Sequence, residues 1–332
     1  MKFAAGSINF MLQQLKVRHY FKITIGILLL VALIYQFAQL EFGAAEWTLL
    51  QASFFDRWWL LLLAFLLMPF NWLCECWKWL LCMRSKYTLD IKSVIRAVLM
   101  GVSVSLITPN RMGEYLGRVA GIEPEQRGAG VITTLLGGLA QNLVTWTLGI
   151  SAAIYFLDQY SALYESININ YLYSLGLLIP FGYGAYFYPK VIQRIVGKLL
   201  PNKGIFSKIQ HALEVLEAQQ KLILLQVLLL SFLRYLTYTL QYVLLLYLLG
   251  VDCTLLECLF GISLIFFIQA SIPLPAALGI VMRGNISVLV WGSVCGAPVA
   301  GLAASYLLFI INFSLTSFLG VYYFFQSKLG FK

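Results

Sequence analysis

Long apolar runs separated by short polar stretches dominate the chain. Six runs, roughly 20–40, 58–81, 130–157, 171–188, 222–249 and 301–325, are long enough to cross a hydrocarbon core about 30 Å thick as single α-helices. Two further apolar stretches do not read as simple spans. Residues 91–120 contain the break Thr108-Pro109-Asn110, followed by Arg111, Glu114 and Arg118. Residues 258–284 repeat the pattern, with Pro273 and Pro275 followed by Gly279 and Arg283. Each is expected to enter the membrane, break and return. Broken backbone at membrane depth is tolerated only where protein or a water-filled cavity satisfies it, so the two breaks should be buried near one another.

The polar connections divide by charge. One set holds Lys2, Lys16, Arg18 and Lys22, then Arg84 and Lys86, then the basic residues from Lys190 to Lys221, and finally Lys328 and Lys332. The opposite set holds Glu41, Glu46, Asp56, Asp158, Glu165, Asp252 and Glu257, with Arg57 as its clear basic residue. The positive-inside rule makes the first set, and with it both termini, cytoplasmic. The polar connection at 189–221 has the spacing of an interfacial amphipathic helix interrupted at Pro201-Asn202; a solvated linker is the plainer alternative. Each half, about 20–157 and about 171–325, then reads as span, span, broken segment, span. An odd number of crossings starts the second half on the opposite side from the first. The expected fold class is an all-α polytopic membrane protein: one integral membrane domain over 1–332, with six full transmembrane helices and two re-entrant broken hairpins in an inverted-topology repeat.

Composition removes the soluble classes, since 61% of residues are hydrophobic and 11% charged, against about 25% charged in soluble proteins. The net charge of +9 would prompt a search for nucleic acid in a soluble chain; here it falls in the cytoplasmic connections, and no nucleic-acid partner is expected. The basic N-terminus and the long run after it read as a retained first span, not a cleaved signal. Six scattered cysteines without a CxxC pair, and only two histidines, lead us to expect neither a metal site nor a disulfide framework. The cysteines read as small packing residues, and no cofactor is expected.

Ionised residues at membrane depth are costly, so they face protein or water and become functional candidates. Arg111, Glu114 and Arg118 follow the first break, and Glu114 and Arg118 are spaced for an i, i+4 ion pair. Arg283 follows the second break, and Arg234 sits near the middle of the run 222–249. Several guanidiniums with one carboxylate suggest an anionic ligand, with phosphate suiting the Arg fork; a purely structural ion network is the alternative. Glu75 and Lys78 read as a local interfacial pair among Trp72, Trp77 and Trp79. Gly113, Gly117 and Gly121 read as a close-packing face. Gln141, Asn142 and Asn312 lie mid-span, where amides often bond across helices. No hydrolase, phosphate-loop or metalloprotease motif is present, and the chain is not expected to be an enzyme.

The stretch SLITPNRMGEYLGRVAGI, with IPLPAALGIVMRG in the second half, resembles the integral-membrane family named for the transmembrane region of lysylphosphatidylglycerol synthase, also labelled flippase-like. The resemblance covers essentially the whole chain. Its first motif falls on Pro109, Asn110, Arg111, Gly113, Glu114 and Arg118; in the second, relatives often carry Glu directly after the Arg, where this chain has Gly284. The resemblance implies lipid translocation. With the chain ending at Lys332, no synthase domain and no aminoacyl transfer are expected. The leading reading is a lipid translocase that moves an anionic phospholipid or a lipid-linked precursor across the bacterial cytoplasmic membrane, with Asn110, Arg111, Glu114, Arg118, Arg234 and Arg283 around an anionic lipid head group. Membrane lipids, and a second copy of the chain, are the other partners considered. The alternatives are a non-catalytic accessory subunit of envelope glycolipid assembly and an intramembrane lipid transferase.

Overall fold

The computed structural model describes residues 44–107, 112–159, 169–199, 201, 205–272, 274 and 276–326. Among them every regular element is helical. The helices are α1 (Ala44–Arg84), α2 (Ile91–Ile107), α3 (Gly113–Ala120), α4 (Arg127–Gln159), α5 (Ile169–Gly176), α6 (Leu178–Phe187), α7 (Pro189–Leu199), α8 (Ile205–Leu213), α9 (Lys221–Leu248), α10 (Leu255–Ser271), α11 (Ala276–Cys295) and α12 (Pro298–Gln326). Among the described residues four stretches are long and apolar enough to cross a membrane: Gln51–Arg84, Pro124–Gln159, Lys221–Leu248 and Pro298–Tyr323. Shorter apolar helices cover Leu255–Ser271 and Gly279–Cys295. The chain is therefore a multi-pass helical membrane protein. The expected first span at 20–40 lies outside the described residues.

Helices α1 and α9 form the central pair and run antiparallel. At one end Arg57 Nη1 donates to the Tyr247 carbonyl at 2.9 Å; at the other, Gln219 Nε2 donates to the Cys82 carbonyl at 3.0 Å and to Ser85 Oγ at 2.7 Å. Arg57 marks a bend in α1, with φ −122° and ψ 19°. Between these ends Gln241 Nε2 donates to the Ala64 carbonyl at 2.7 Å, and Ala64 is fully buried. The polar connection docks on the basic end: Lys86 and Glu214 pair at 2.7 Å. Hydrogen bonds from Lys86 and then His211 hold the Glu214 carboxyl below its ordinary value.

Both broken segments fold as antiparallel helical hairpins. In the first, α3 lies against α2 through the expected glycine face. A Cβ on Gly117 would come within 2.5 Å of Gly101 Cα and the Met100 carbonyl, and one on Gly121 within 3.1 Å of Ala97. In the second, α10 packs on α11 where Gly261 meets the Trp291 ring. The pairing between halves is reciprocal, since α4 packs on α10 while α12 packs on α2. Thr254 and Glu257 close a capping box at the start of α10, which satisfies two helix-end donors at once.

Two expectations need correction. The run 171–188 is not one regular helix but is interrupted between α5 and α6 at Leu177, which keeps helical angles and donates its N–H to the Tyr173 carbonyl at 3.1 Å. Pro180 cannot donate to the carbonyl four residues back, at Gly176, and its ring crowds that carbonyl. The cysteines are not all packing residues: Cys253 and Cys295 form a disulfide with Cα atoms 5.8 Å apart. The hairpin brings the start of α10 beside the end of α11, which a separation of 42 residues conceals. Cys74, Cys76, Cys82 and Cys258 are buried free thiols.

Gly117→Ala should lower the melting temperature in detergent, because the added methyl meets backbone that cannot swing aside; overpacking of this kind costs roughly 1–3 kcal/mol. Gly184, where a Cβ meets nothing within 4 Å, should accept Ala with an unchanged or higher melting temperature. Equal melting temperatures for the two variants would contradict the tight α2–α3 contact.

Candidate functional site

The polar residues of α1 recur at helical spacing, with Asn71, Glu75 and Lys78 on one face. All three are buried, and Glu75 and Lys78 are only 6% and 1% exposed. Glu75 sits about 27 Å along the helix from Arg57 and about 13 Å from Arg84, at 1.5 Å per residue. The expected surface pair is therefore an interior one. Trp72 and Trp79, four and seven positions from Met68 and Trp72 respectively, turn inward with it, while Trp77 points outward.

Glu75 is shared by three cations from three helices. Its Oε1 accepts from Arg118 Nη2 at 2.6 Å. Its Oε2 accepts from Arg234 Nη1 at 2.5 Å and lies 3.0 Å from Lys78 Nζ. Arg118 Nη2 also reaches Glu114 Oε1 at 2.6 Å, forming the expected i, i+4 pair. The two carboxylates leave this cluster with one uncompensated positive charge. Aromatic faces line the guanidiniums: Arg118 lies 5.7 Å from the Trp79 ring and Arg234 5.3 Å from that of Trp72, a geometry that attracts cations.

Amide side chains extend the cluster to two more helices. Arg234 Nε donates to Asn71 Oδ1 at 3.0 Å, and Asn71 Nδ2 to Asn312 Oδ1 at 2.8 Å on α12. Asn312 Nδ2 continues to Gln241 Oε1 at 3.1 Å. Lys78 Nζ donates to Gln141 Oε1 at 3.2 Å on α4, and Gln141 Nε2 to the Ser231 carbonyl at 3.2 Å. The mid-span amides at 141 and 312 thus bond across helices.

Above this base lies a cavity of about 540 Å³. Ser105 and Tyr115, on either side of the first break, face it together with Ile272 and Leu274 from the second. Residues that flank the two breaks thus share one cavity, while 108–111, 273 and 275 lie outside the described residues. Arg234 and Arg283 line the cavity, and Arg283 also lies 5.7 Å from the Phe309 ring. Arg118 does not line it: 1% exposed, it is held beneath by Glu75 and Glu114. Glu114 is likewise engaged in that pair. Asn110 and Arg111 fall outside the described residues.

The family model for the lysylphosphatidylglycerol synthase transmembrane region matches residues 20–320. The chain belongs to this family. The match takes in every helix of the cluster and both hairpins, so the charged site lies within the family's own domain. No curated protein and no solved structure matches the chain.

Removing the shared carboxylate should be the most damaging single change. Glu75→Gln strands Lys78 and Arg234 without a carboxylate, and breaking a buried pair in this way costs roughly 3–5 kcal/mol. Glu114→Gln leaves Arg118 its bond to Glu75, and the Glu114 side chain is 26% exposed, so the loss should be smaller. Folded yield and melting temperature in detergent should order the proteins as wild type, then Glu114→Gln, then Glu75→Gln; the reverse order for the two variants would remove Glu75 from the centre of the network.

Proposed function

We propose that this chain is a translocase that carries an anionic lipid head group across the bacterial cytoplasmic membrane, and that it acts as a carrier and not as an enzyme. The observation that carries the reading is the cavity between the two hairpins. It holds two guanidiniums, Arg234 and Arg283, above a cluster that already has more cations than carboxylates. A cationic, partly apolar cavity favours an anion whose tails remain in lipid, and the planar Arg fork suits phosphate. Arg234 and Arg283 contact the head group in this reading, while Arg118 and Glu114 hold the floor.

The reciprocal packing of α4 on α10 and α12 on α2 supports an inverted repeat of six spans and two re-entrant hairpins. Paired interrupted segments of this kind point to a transport site at their interface. Both termini are cytoplasmic in this arrangement. The Cys253–Cys295 disulfide lies at the opposite end of α9 from Lys86 and Gln219, and disulfides persist on the oxidising side of a membrane.

Translocation of labelled phosphatidylglycerol in liposomes tests the reading. Arg283→Lys keeps the charge but loses the two-point contact. A charge-assisted hydrogen bond contributes about 1.5–3 kcal/mol, so the rate should fall roughly 10- to 100-fold at normal folded yield. Wild-type rates in Arg283→Lys, or no wild-type transport of any anionic lipid, would overturn the assignment. Single-cysteine accessibility should place residue 203 on the cytoplasmic side.

A further inference from the structure

The two arginines account for the charge of a ligand but not for the rest of the cavity wall. Several polar side chains there are already committed within the protein. Ser105 Oγ donates to the Val102 carbonyl at 2.7 Å, Thr145 Oγ1 to the Gln141 carbonyl at 2.9 Å, and Tyr235 shares a 2.6 Å bond with Ser263. Gln141 spends both ends of its amide on Lys78 and Ser231.

Three others remain. Asn142, Tyr238 and Gln269 line the same cavity, and their polar groups have no hydrogen-bond partner among the described residues. Gln269 Nε2 is buried as well as unpaired. A buried donor without an acceptor costs roughly 1–3 kcal/mol, and among the described residues that line the cavity Gln269 Nε2 is the buried side-chain donor left without one. The three come from different directions: Asn142 from α4, Tyr238 from α9 one turn beyond Arg234, and Gln269 from α10. Amides and a phenol donate and accept without charge, which matches hydroxyls. Among the described lining residues there is no Asp or Glu to receive an ammonium group.

We infer that the ligand is a phosphodiester whose head group is uncharged and hydroxyl-bearing, with the phosphate on Arg234 and Arg283 and the hydroxyls on Asn142, Tyr238 and Gln269. Zwitterionic and aminoacylated head groups are excluded, because their ammonium would enter a cationic cavity without a carboxylate. This rests on the lipid reading and narrows it to polyol phosphates.

The test compares four labelled lipids, phosphatidylglycerol, phosphatidic acid, phosphatidylcholine and lysylphosphatidylglycerol, by equilibrium binding to the purified full chain in detergent and by translocation in liposomes. Soluble glycerophosphoglycerol serves as a competitor that separates head-group from tail recognition. Phosphatidylglycerol should bind at least about tenfold more tightly than phosphatidic acid, since a site built for hydroxyls discriminates against a ligand lacking them. Lysylphosphatidylglycerol and phosphatidylcholine should bind more weakly still. Asn142→Leu with Gln269→Leu should bring the phosphatidylglycerol to phosphatidic acid ratio to about one, with folding checked by melting temperature. The more conservative Gln269→Glu should instead raise relative binding of lysylphosphatidylglycerol, and it serves if the double variant does not fold. Equal wild-type binding of phosphatidylglycerol and lysylphosphatidylglycerol would overturn the inference, as would variants that weaken all anionic lipids in parallel. Selective binding without any translocation would sustain this ligand class and sink the translocase reading, whereas translocation of all anionic lipids alike would do the opposite.

Discussion

A single carboxylate, Glu75, sets the electrostatic terms for the whole membrane domain. Ions placed in an apolar interior lose hydration worth several kcal/mol each, and mutual attraction offsets that loss only when geometry and hydrogen bonding are close to complete. Glu75 meets the condition by receiving Arg118 on one oxygen and Arg234 and Lys78 on the other. Because its partners come from α1, α3 and α9, the ion cluster also fixes where the first hairpin sits against the central helix pair. Asn71, Asn312, Gln241 and Gln141 carry the same constraint to α12 and α4 through neutral hydrogen bonds. Any rearrangement of these helices must keep the carboxylate supplied with cations.

That requirement divides the four described ionised residues that stand out in the sequence. Arg118 and Glu114 are bound to carboxylate or guanidinium at short distance and contribute to the floor. Arg234 has a double position: it closes the cluster through Glu75 and Asn71, yet its side chain is 14% exposed and faces the cavity. In the proposed reading an anion arriving there competes with Glu75 for one guanidinium, which links its binding to the hold on α9. Arg283, on the second hairpin, brings its charge to the cavity from the opposite wall.

Much of this is legible in the amino-acid sequence wherever a residue breaks a strong local rule. The depth of Arg234 in an apolar run, the prolines that interrupt 91–120 and 258–284, and the Gly113, Gly117, Gly121 spacing each violate what a lipid-facing helix tolerates. The features that stay hidden are those with an adequate local explanation. Glu75 and Lys78 neutralise one another three residues apart, which makes a surface pair sufficient; the sign of something more is Asn71 on the same helical face, with two inward-turned tryptophans. The Cys253–Cys295 bond depends on α10 and α11 folding back on one another, which spacing along the chain does not reveal. The division at Leu177 is present in Pro180, but a mostly apolar run of 18 residues outweighs the one proline in it when only hydropathy is counted.

The cavity raises a question that the ion cluster alone does not answer. A network whose only task is to hold helices together gains from neutrality, since every uncompensated charge and unpaired donor in the interior costs stability. Here the cluster keeps one excess positive charge, and Gln269 on the cavity wall keeps a buried donor without an acceptor among the described residues. Other buried polar atoms without a partner, such as Arg118 Nε and Trp146 Nε1, lie elsewhere in the fold; Gln269 is the one that lines the cavity. In the proposed reading a ligand supplies negative charge to the cluster and an acceptor to Gln269 when it binds, so that the occupied state is the better satisfied one. The tight α2–α3 contact at Gly117 and the disulfide across α10 and α11 then have a common role. In that reading each holds its hairpin together on its own side of the cavity.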